Sequence, residues 1–223
     1  MKYRHEWKHE INFLDQQILL SRLKAVMKQD SHCINGTYEI RSLYFDTPKD
    51  SALFEKIDGV NCREKFRIRY YNKDTSYMIL EKKGKINGLC HKESCPISLS
   101  EVRSILNGDL GWMLESERPL CIELYSKMKS SGLKPKTIVD YTRYPFTYPA
   151  GNVRVTIDFD IRTNMFPHEF LNPNCLTLPI EDSPKILEVK WDEYLPDIIK
   201  DVVSLTGRRV CAFSKYAQAR MYK

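Results

Sequence analysis

In the stretch REKFRIRYY four cations, Arg63, Lys65, Arg67 and Arg69, stand at every second position, and no other feature of the chain constrains its fold as much. In an extended strand successive side chains point to opposite faces, so the four share one face while Glu64, Phe66, Ile68 and Tyr70 share the other. The turn Asn72-Lys73-Asp74 follows, and the next strand puts Tyr77, Ile79, Glu81, Lys83 and Lys85 on one side. Stacked cations repel one another and cannot face an apolar core unpaired. The face is either bathed in water or wrapped around something strongly negative.

The same alternation recurs along the chain. Tyr3 to Phe13 reads as a strand with Arg4, Glu6, Lys8 and Glu10 opposite Tyr3, His5, Trp7, His9 and Ile11; its two histidines read as packed or surface residues, not ligands. Tyr38 to Phe45 is a second strand, ended by the turn Asp46-Thr47-Pro48. Lys136 to Phe146 sets Thr137, Val139, Tyr141 and Arg143 against Ile138, Asp140 and Thr142. Val153 to Thr163 sets Val153, Val155, Ile157, Phe159 and Ile161 against Arg154, Thr156, Asp158, Asp160 and Arg162. Lys185 to Trp191 sets Leu187, Val189 and Trp191 against Glu188 and Lys190. Helices are expected from a cap at Asp15 to about Gln29, over Ser51–Lys56, and from Ser98 or Ser100 to Asn107-Gly108. Others are expected over Pro119–Ser131, from Asp192 to Gly207, and over Lys215–Tyr222 behind a Ser214 cap. The three prolines between Asn164 and Ser183 mark a loop or edge ribbon.

About eight strands with one charged and one apolar face predict an α+β fold in which an antiparallel sheet closes into a barrel, charged faces inward and helices packed outside. A lumen lined by about ten cations repels itself when empty and suits a polyanion such as a triphosphate. The few carboxylates on those faces, Glu6, Glu81, Asp158, Asp160 and Glu188, then suit a hard divalent metal. At 223 residues, without low-complexity segments or long linkers, the chain reads as a single domain, 1–223. Seven cysteines without a CxxC pair point to free thiols in a reducing compartment rather than disulfides or a zinc site. With no apolar run of the ~18 residues a membrane span needs, and a polar start, MKYRHEWKHE, the expectation is a cytoplasmic protein with no membrane segment of its own. The net charge of +6 indicates an anionic partner without naming it.

The pieces SLYFDTP (42–48), IDGVNCREKFRIRYY (57–71), LEKKGKINGLCHKES (80–94), VDYTRYPF (139–146), VRVTIDFDIRT (153–163), ILEVKW (186–191) and FSKYAQAR (213–220) carry a resemblance over nearly the whole chain. They resemble the VTC domain, the polyphosphate polymerase module of the vacuolar transporter chaperone complex, which also occurs as stand-alone bacterial proteins. That family belongs to the triphosphate tunnel metalloenzymes, whose tunnel is an eight-stranded antiparallel barrel. The resemblance implies that Lys8, Arg67, Arg69, Lys83, Lys92, Arg143 and Arg154 hold the nucleotide triphosphate and the growing chain. Lys85, Lys190 and Ser214 are placed with them, and Lys215 matches a phosphate-binding lysine at the start of the last helix. Glu188 matches the metal-binding acid, with Glu6, Glu81 and Asp158 as further candidates, and the implied cofactor is Mn²⁺ or Mg²⁺.

The implied substrates are ATP and inorganic polyphosphate. Where the wider superfamily opens with ExExK, this chain reads Arg4-His5-Glu6-Trp7-Lys8, so the first acid is a cation, which weighs against a simple triphosphatase. The regulatory SPX region and the membrane helices of the eukaryotic complex have no counterpart here, which leaves a membrane-protein partner and the oligomeric state open. Three functions compete: polyphosphate synthesis from ATP, hydrolysis of a triphosphate in the same tunnel, and polyanion binding without catalysis. Nucleic acid is not expected, because Tyr70, Tyr71, Tyr141 and Tyr144 read as core or rim rather than as a stacking platform.

Overall fold

Cross-strand register turns the alternation into a sheet with two chemically distinct faces. The computed structural model describes residues 4–182 and 184–221; Tyr3, Ser183 and Tyr222, included in the expectations above, lie outside them. The described strands and helices run β1 (His5–Ile11), α1 (Phe13–Val26), β2 (Lys28–Gln29), β3 (Tyr38–Asp46), α2 (Ser51–Ile57), β4 (Cys62–Tyr71), β5 (Asp74–Ile86) and β6 (Leu89–Ile97). They continue with α3 (Leu99–Asn107), α4 (Pro119–Ser130), β7 (Lys134–Tyr148), β8 (Val153–Asn164), β9 (Leu178–Pro179), β10 (Lys185–Trp191), α5 (Asp197–Val203) and α6 (Lys215–Met221).

The ten strands form one antiparallel sheet along the path β1-β10-β8-β7-β3-β4-β5-β6, with β2 added to β7 and β9 to β8. The sheet is not the closed barrel expected. Among the described residues its two edges meet at one isolated bridge, where the Arg4 amide donates to the Cys90 carbonyl at 3.2 Å, and no ladder joins β1 to β6. The sheet is nonetheless rolled, since all eight strands of the path contribute walls to one cavity.

Apolar side chains cover the outer face in two patches. Phe66, Ile68 and Tyr70 of β4, with Leu43, Phe45, Met78 and Leu80, pack under α3 and α4 through Val102, Ile105, Leu120 and Leu124. Val153, Val155, Ile157, Leu187 and Val189 pack under α1 and α5 through Leu19, Leu23, Ile199 and Val203. A fully buried Leu or Ile contributes about 1.5–3 kcal/mol, so this covering decides which way the alternating faces turn. Helices outside were the expectation for all, but α6 and Leu53 of α2 pack on the inner face. There Tyr216, Ala217 and Ala219 meet Tyr38, Tyr44, Val139, Tyr141 and Ile161 and plug part of the roll.

Local signals placed most element ends, but α1 stops at Val26 rather than about Gln29, since Lys28–Gln29 pair with β7 as strand β2, and α5 stops at Val203 rather than Gly207. Ser98 caps α3 in a capping box with Glu101, and Gly108 ends it in the left-handed conformation at φ 81°. The cap of α1 is Asn12 rather than Asp15, because Asp15 is the reciprocal partner of that capping box. Helix α5 begins at Asp197, not Asp192, since Pro196 suits the approach to a helix and the preceding residues are irregular. The hairpin β5–β6, turned by Asn87 (φ 47°) and Gly88 (φ 86°), splits a stretch that was not divided from sequence. In β8 the alternation breaks where Asp160 takes φ 48° and the pairing with β7 slips between Asp140 and Thr142. The extra residue turns Ile161 to the inner cluster, whereas Val155 and Ile157 face outward. Among the described residues no helix is long and apolar enough to cross a membrane.

Candidate functional site

The inner face encloses a cavity of about 330 Å³. Eleven cations line it: Arg4, Lys8, Lys65, Arg67, Arg69, Lys83, Lys92, Arg143, Arg154, Lys190 and Lys215. Strand parity brings them together. Lys65, Arg67 and Arg69 are the inward residues of β4, and the outward ones between them are the core residues Phe66, Ile68 and Tyr70. The solvated-face reading of that strand therefore fails.

The cavity is better neutralised than a ring of bare cations. Three groups of ion pairs organise it, each anchored across neighbouring strands. In the first, Lys8 faces Glu188 and Glu6 faces Lys190 across the β1–β10 register. The Lys8 ammonium lies 3.0 Å from Glu6 and 3.3 Å from Glu188, Lys83 lies 2.9 Å from Glu6, and Lys190 lies 2.7 Å from Glu188. In the second, Glu81 accepts from Arg67 at 2.8 Å, Arg69 at 2.7 Å and Lys92 at 3.1 Å. In the third, Asp158 takes the Arg143 guanidinium in a two-pronged contact of 2.6 and 2.8 Å and also holds Lys215. At the rim Arg154 pairs with Asp30 and Arg4 with Asp192. Eleven cations meet six carboxylates, which leaves five positive charges in excess among the described residues. The self-repulsion expected of an empty lumen is thus partly offset, because carboxylates stand among the cations on neighbouring strands.

These pairs set the protonation states. Burial and the adjacent Glu188 push Glu6 up, yet Lys8, Lys83 and Lys190 outweigh them and hold it at about 2. Burial opposes ionisation of Glu81 and Asp158 too, but their cations keep both below the usual carboxylate range. Burial pulls Lys190 down to about 8 despite Glu188. Burial, then Lys83, Lys8 and Arg67, draw Lys65 well below the usual lysine range. Of the eleven cations only Lys65 has no carboxylate partner among the described residues; its ammonium lies 3.5 Å from the Ser214 hydroxyl.

The structure gathers Lys8, Arg67, Arg69, Lys83, Lys92, Arg143, Arg154, Glu188, Lys190, Ser214 and Lys215 around this one space, whereas Lys85 lines an adjoining cavity instead. The expected metal candidates separate. Glu81 and Asp158 are 1% and 0% exposed, do not line the cavity, and have their oxygens held by Arg67, Arg69 and Lys92 and by Arg143 and Lys215. Glu6 and Glu188 both line the cavity and are bridged by the Lys8 ammonium, with Lys83 also on Glu6 and Lys190 on both. Two carboxylates of hard oxygen fit a Mg²⁺ or Mn²⁺ ion that completes its shell with phosphate oxygens and water. Among the described residues no group of three or more His, Cys, Asp or Glu side chains forms a self-sufficient metal site.

Sequence reasoning passed over Lys65, Tyr44 and Tyr141 as site residues. The parity of Lys65 is that of Arg67, and this alone would have found it. Tyr44 accepts from Arg67 at 3.0 Å, and the Lys215 ammonium sits 4.6 Å from the Tyr141 ring centre. Lys215 opens α6, a helix of only seven residues with a correspondingly small macrodipole, and its ammonium lies beside Asp158.

The fold and the site together make a rolled antiparallel sheet around a cation-rich cavity with embedded carboxylates, a lining that suits an anionic ligand. A structure from Bacillus halodurans, provisionally named an adenylate cyclase, superposes with a TM-score of 0.53 at 13% identity, covering 92% of each chain. A Pyrococcus horikoshii protein gives 0.45 at 17% identity over 90% of this chain and 85% of its own. The triphosphatase of the Mimivirus capping enzyme gives 0.42 at 12% identity over 89% and 84%. At these identities the first likeness speaks to the fold alone. No curated protein matches the chain by sequence. The chain belongs to the VTC domain family, whose profile matches residues 3–222.

Proposed function

We propose that this chain is a metal-dependent polyphosphate polymerase that transfers the γ-phosphoryl group of ATP to the end of an inorganic polyphosphate chain. The observation that carries the reading is the single cavity into which seven of the eight strands of the path, all but β3, and α6 direct lysines and arginines. Phosphoryl transfer asks a protein chiefly for alignment and charge stabilisation. Arg67, Arg69 and Arg143 offer planar forks for phosphate oxygens, and the lysines act as point charges. In this reading the acceptor's terminal oxygen forms the new P–O bond to the γ-phosphorus as the β–γ bridging bond breaks, and ADP leaves. Glu188 and Glu6 would hold a Mg²⁺ or Mn²⁺ ion, which supplies charge neutralisation to the phosphate oxygens.

The carboxylate pair also invites a hydrolase reading, in which one acid activates water. Its protonation argues otherwise, because a carboxylate held at about 2 by three lysines is a poor general base. A phosphate acceptor is already ionised and needs none. The test is incubation of the purified protein with ATP and Mn²⁺, with products separated on a gel. A ladder of phosphate polymers is expected; free phosphate alone would establish hydrolysis, and no turnover would leave a binding module.

A further inference from the structure

Beside the main cavity lies a second, of about 320 Å³. Glu6, Lys8, Lys65, Lys83, Cys90 and Ser214 are walls of both, so the two adjoin along this shared wall. Past that shared wall the second cavity is lined by Lys56 of α2, Arg63 of β4 and Lys85 of β5.

The charge balance of this mouth differs from that of the main cavity. Lys56, Arg63 and Lys85 have no carboxylate partner among the described residues; Lys56 donates to the Ala212 carbonyl at 2.6 Å and Arg63 to that of Val60. The one acid confined to this wall, Glu64, is engaged by Lys127 of α4. The sheet register sharpens the imbalance, for Arg63 stands directly opposite Lys85 and Lys65 directly opposite Lys83. Like charges directly across an antiparallel pair destabilise it. Burial, then Arg63, Lys8 and Lys85, lower the Lys56 ammonium below the usual lysine range, as expected where cations crowd without acids.

We infer that this mouth is a second compartment for a linear polyanion, receiving the phosphates of a polyphosphate chain that extends beyond those held in the main cavity. The inference rests on the polyphosphate reading above. A triphosphate held among Arg67, Arg143 and Lys215 has no phosphates to spare for the mouth, whereas a longer chain reaches both spaces and neutralises the facing pairs. Two walls carry the recognition, α2 through Lys56 and the β4–β5 pair through Arg63 and Lys85.

The test compares tripolyphosphate with long-chain polyphosphate on the full chain at one fixed salt concentration. Lys56→Gln/Arg63→Gln removes two charges while keeping a donor for each backbone carbonyl. The wild type should bind the long chain more tightly than tripolyphosphate. The double variant should lose about tenfold in affinity for the long chain and no more than about twofold for tripolyphosphate. Lys56→Glu/Arg63→Glu should lose more, and Lys56→Gln/Arg63→Gln should melt no lower than the wild type, because repulsion at the mouth is relieved while both carbonyls keep a donor. Unchanged long-chain affinity in both variants, or an equal loss for the two ligands, overturns the mouth compartment. Single-stranded RNA that binds as tightly as the long chain, and through the same two residues, overturns polyphosphate as its occupant. Failure of the wild type to bind tripolyphosphate would instead sink the polyphosphate reading on which the inference rests.

Discussion

Replacing Glu81 by glutamine tests how the main cavity is held together. Glu81 is 1% exposed and anchors Arg67, Arg69 and Lys92. Glutamine keeps the shape but leaves three cations facing one another without their acid. Breaking a buried ion pair costs about 3–5 kcal/mol. Lys92 is 51% exposed and recovers hydration, while Arg67 and Arg69 are 19% and 11% exposed and recover little. The lower end, about 3 kcal/mol, is therefore expected, and for a chain of this size that lowers Tm by about 6–12 °C. Thermal melts with and without tripolyphosphate check it. A ligand at 100 times its Kd returns about 2.7 kcal/mol, so the anion should restore most of the loss by standing in for the carboxylate.

The pH dependence of the same variant has a defined sign. The folded-state pKa of Glu81 is held below its ordinary value, so its contribution is present above about pH 4.3 and fades as pH falls below it. Acidification should thus destabilise the wild type more steeply than Glu81→Gln in that range. A variant as stable as the wild type, or one that tripolyphosphate does not rescue, would refute the view of Glu81 as the anchor of a phosphate-binding arginine pair.

Three further outcomes are expected. Glu188→Gln should abolish metal-dependent turnover with an unchanged far-ultraviolet circular dichroism spectrum; retained activity would remove Glu188 from the metal site. Lys215→Ala should cut polymer synthesis at least about tenfold without new phosphate release, and the fold should survive because Arg143 still holds Asp158; full synthesis would show Lys215 to be a structural partner only. Lys65→Met should raise Tm by about 2–4 °C, on the order of 1 kcal/mol, by removing an unpaired half-buried charge, while weakening tripolyphosphate binding in calorimetry. A lower Tm would mean that the lysine is stabilising where it stands.

What the sequence determined by itself is what depends on backbone period and local chemistry. The two-residue repeat placed Lys65, Arg67 and Arg69 opposite Phe66, Ile68 and Tyr70 before any neighbour was known, because strand pleating admits no other arrangement. Ser98 with Glu101, and Gly108, marked the ends of α3 for the same local reason. What the tertiary structure alone decided is which charges meet. Glu81, Asp158, Glu6 and Glu188 look alike on their strands, yet the first two are held chiefly by arginines and the last two chiefly by lysines while lining the cavity, since pairing depends on strand order and register far along the chain. The slip at Asp160 likewise follows from its positive φ and the ladder with β7, and it sends Ile161 to the face that strict alternation denies it. Lys56 on its short helix gave no sign of belonging to the site, and only the packing of α2 against α6 and β4 sets it at the mouth beside Arg63. Coulomb interactions act through space rather than along the chain, so the charge balance of the cavity is a property of the folded sheet.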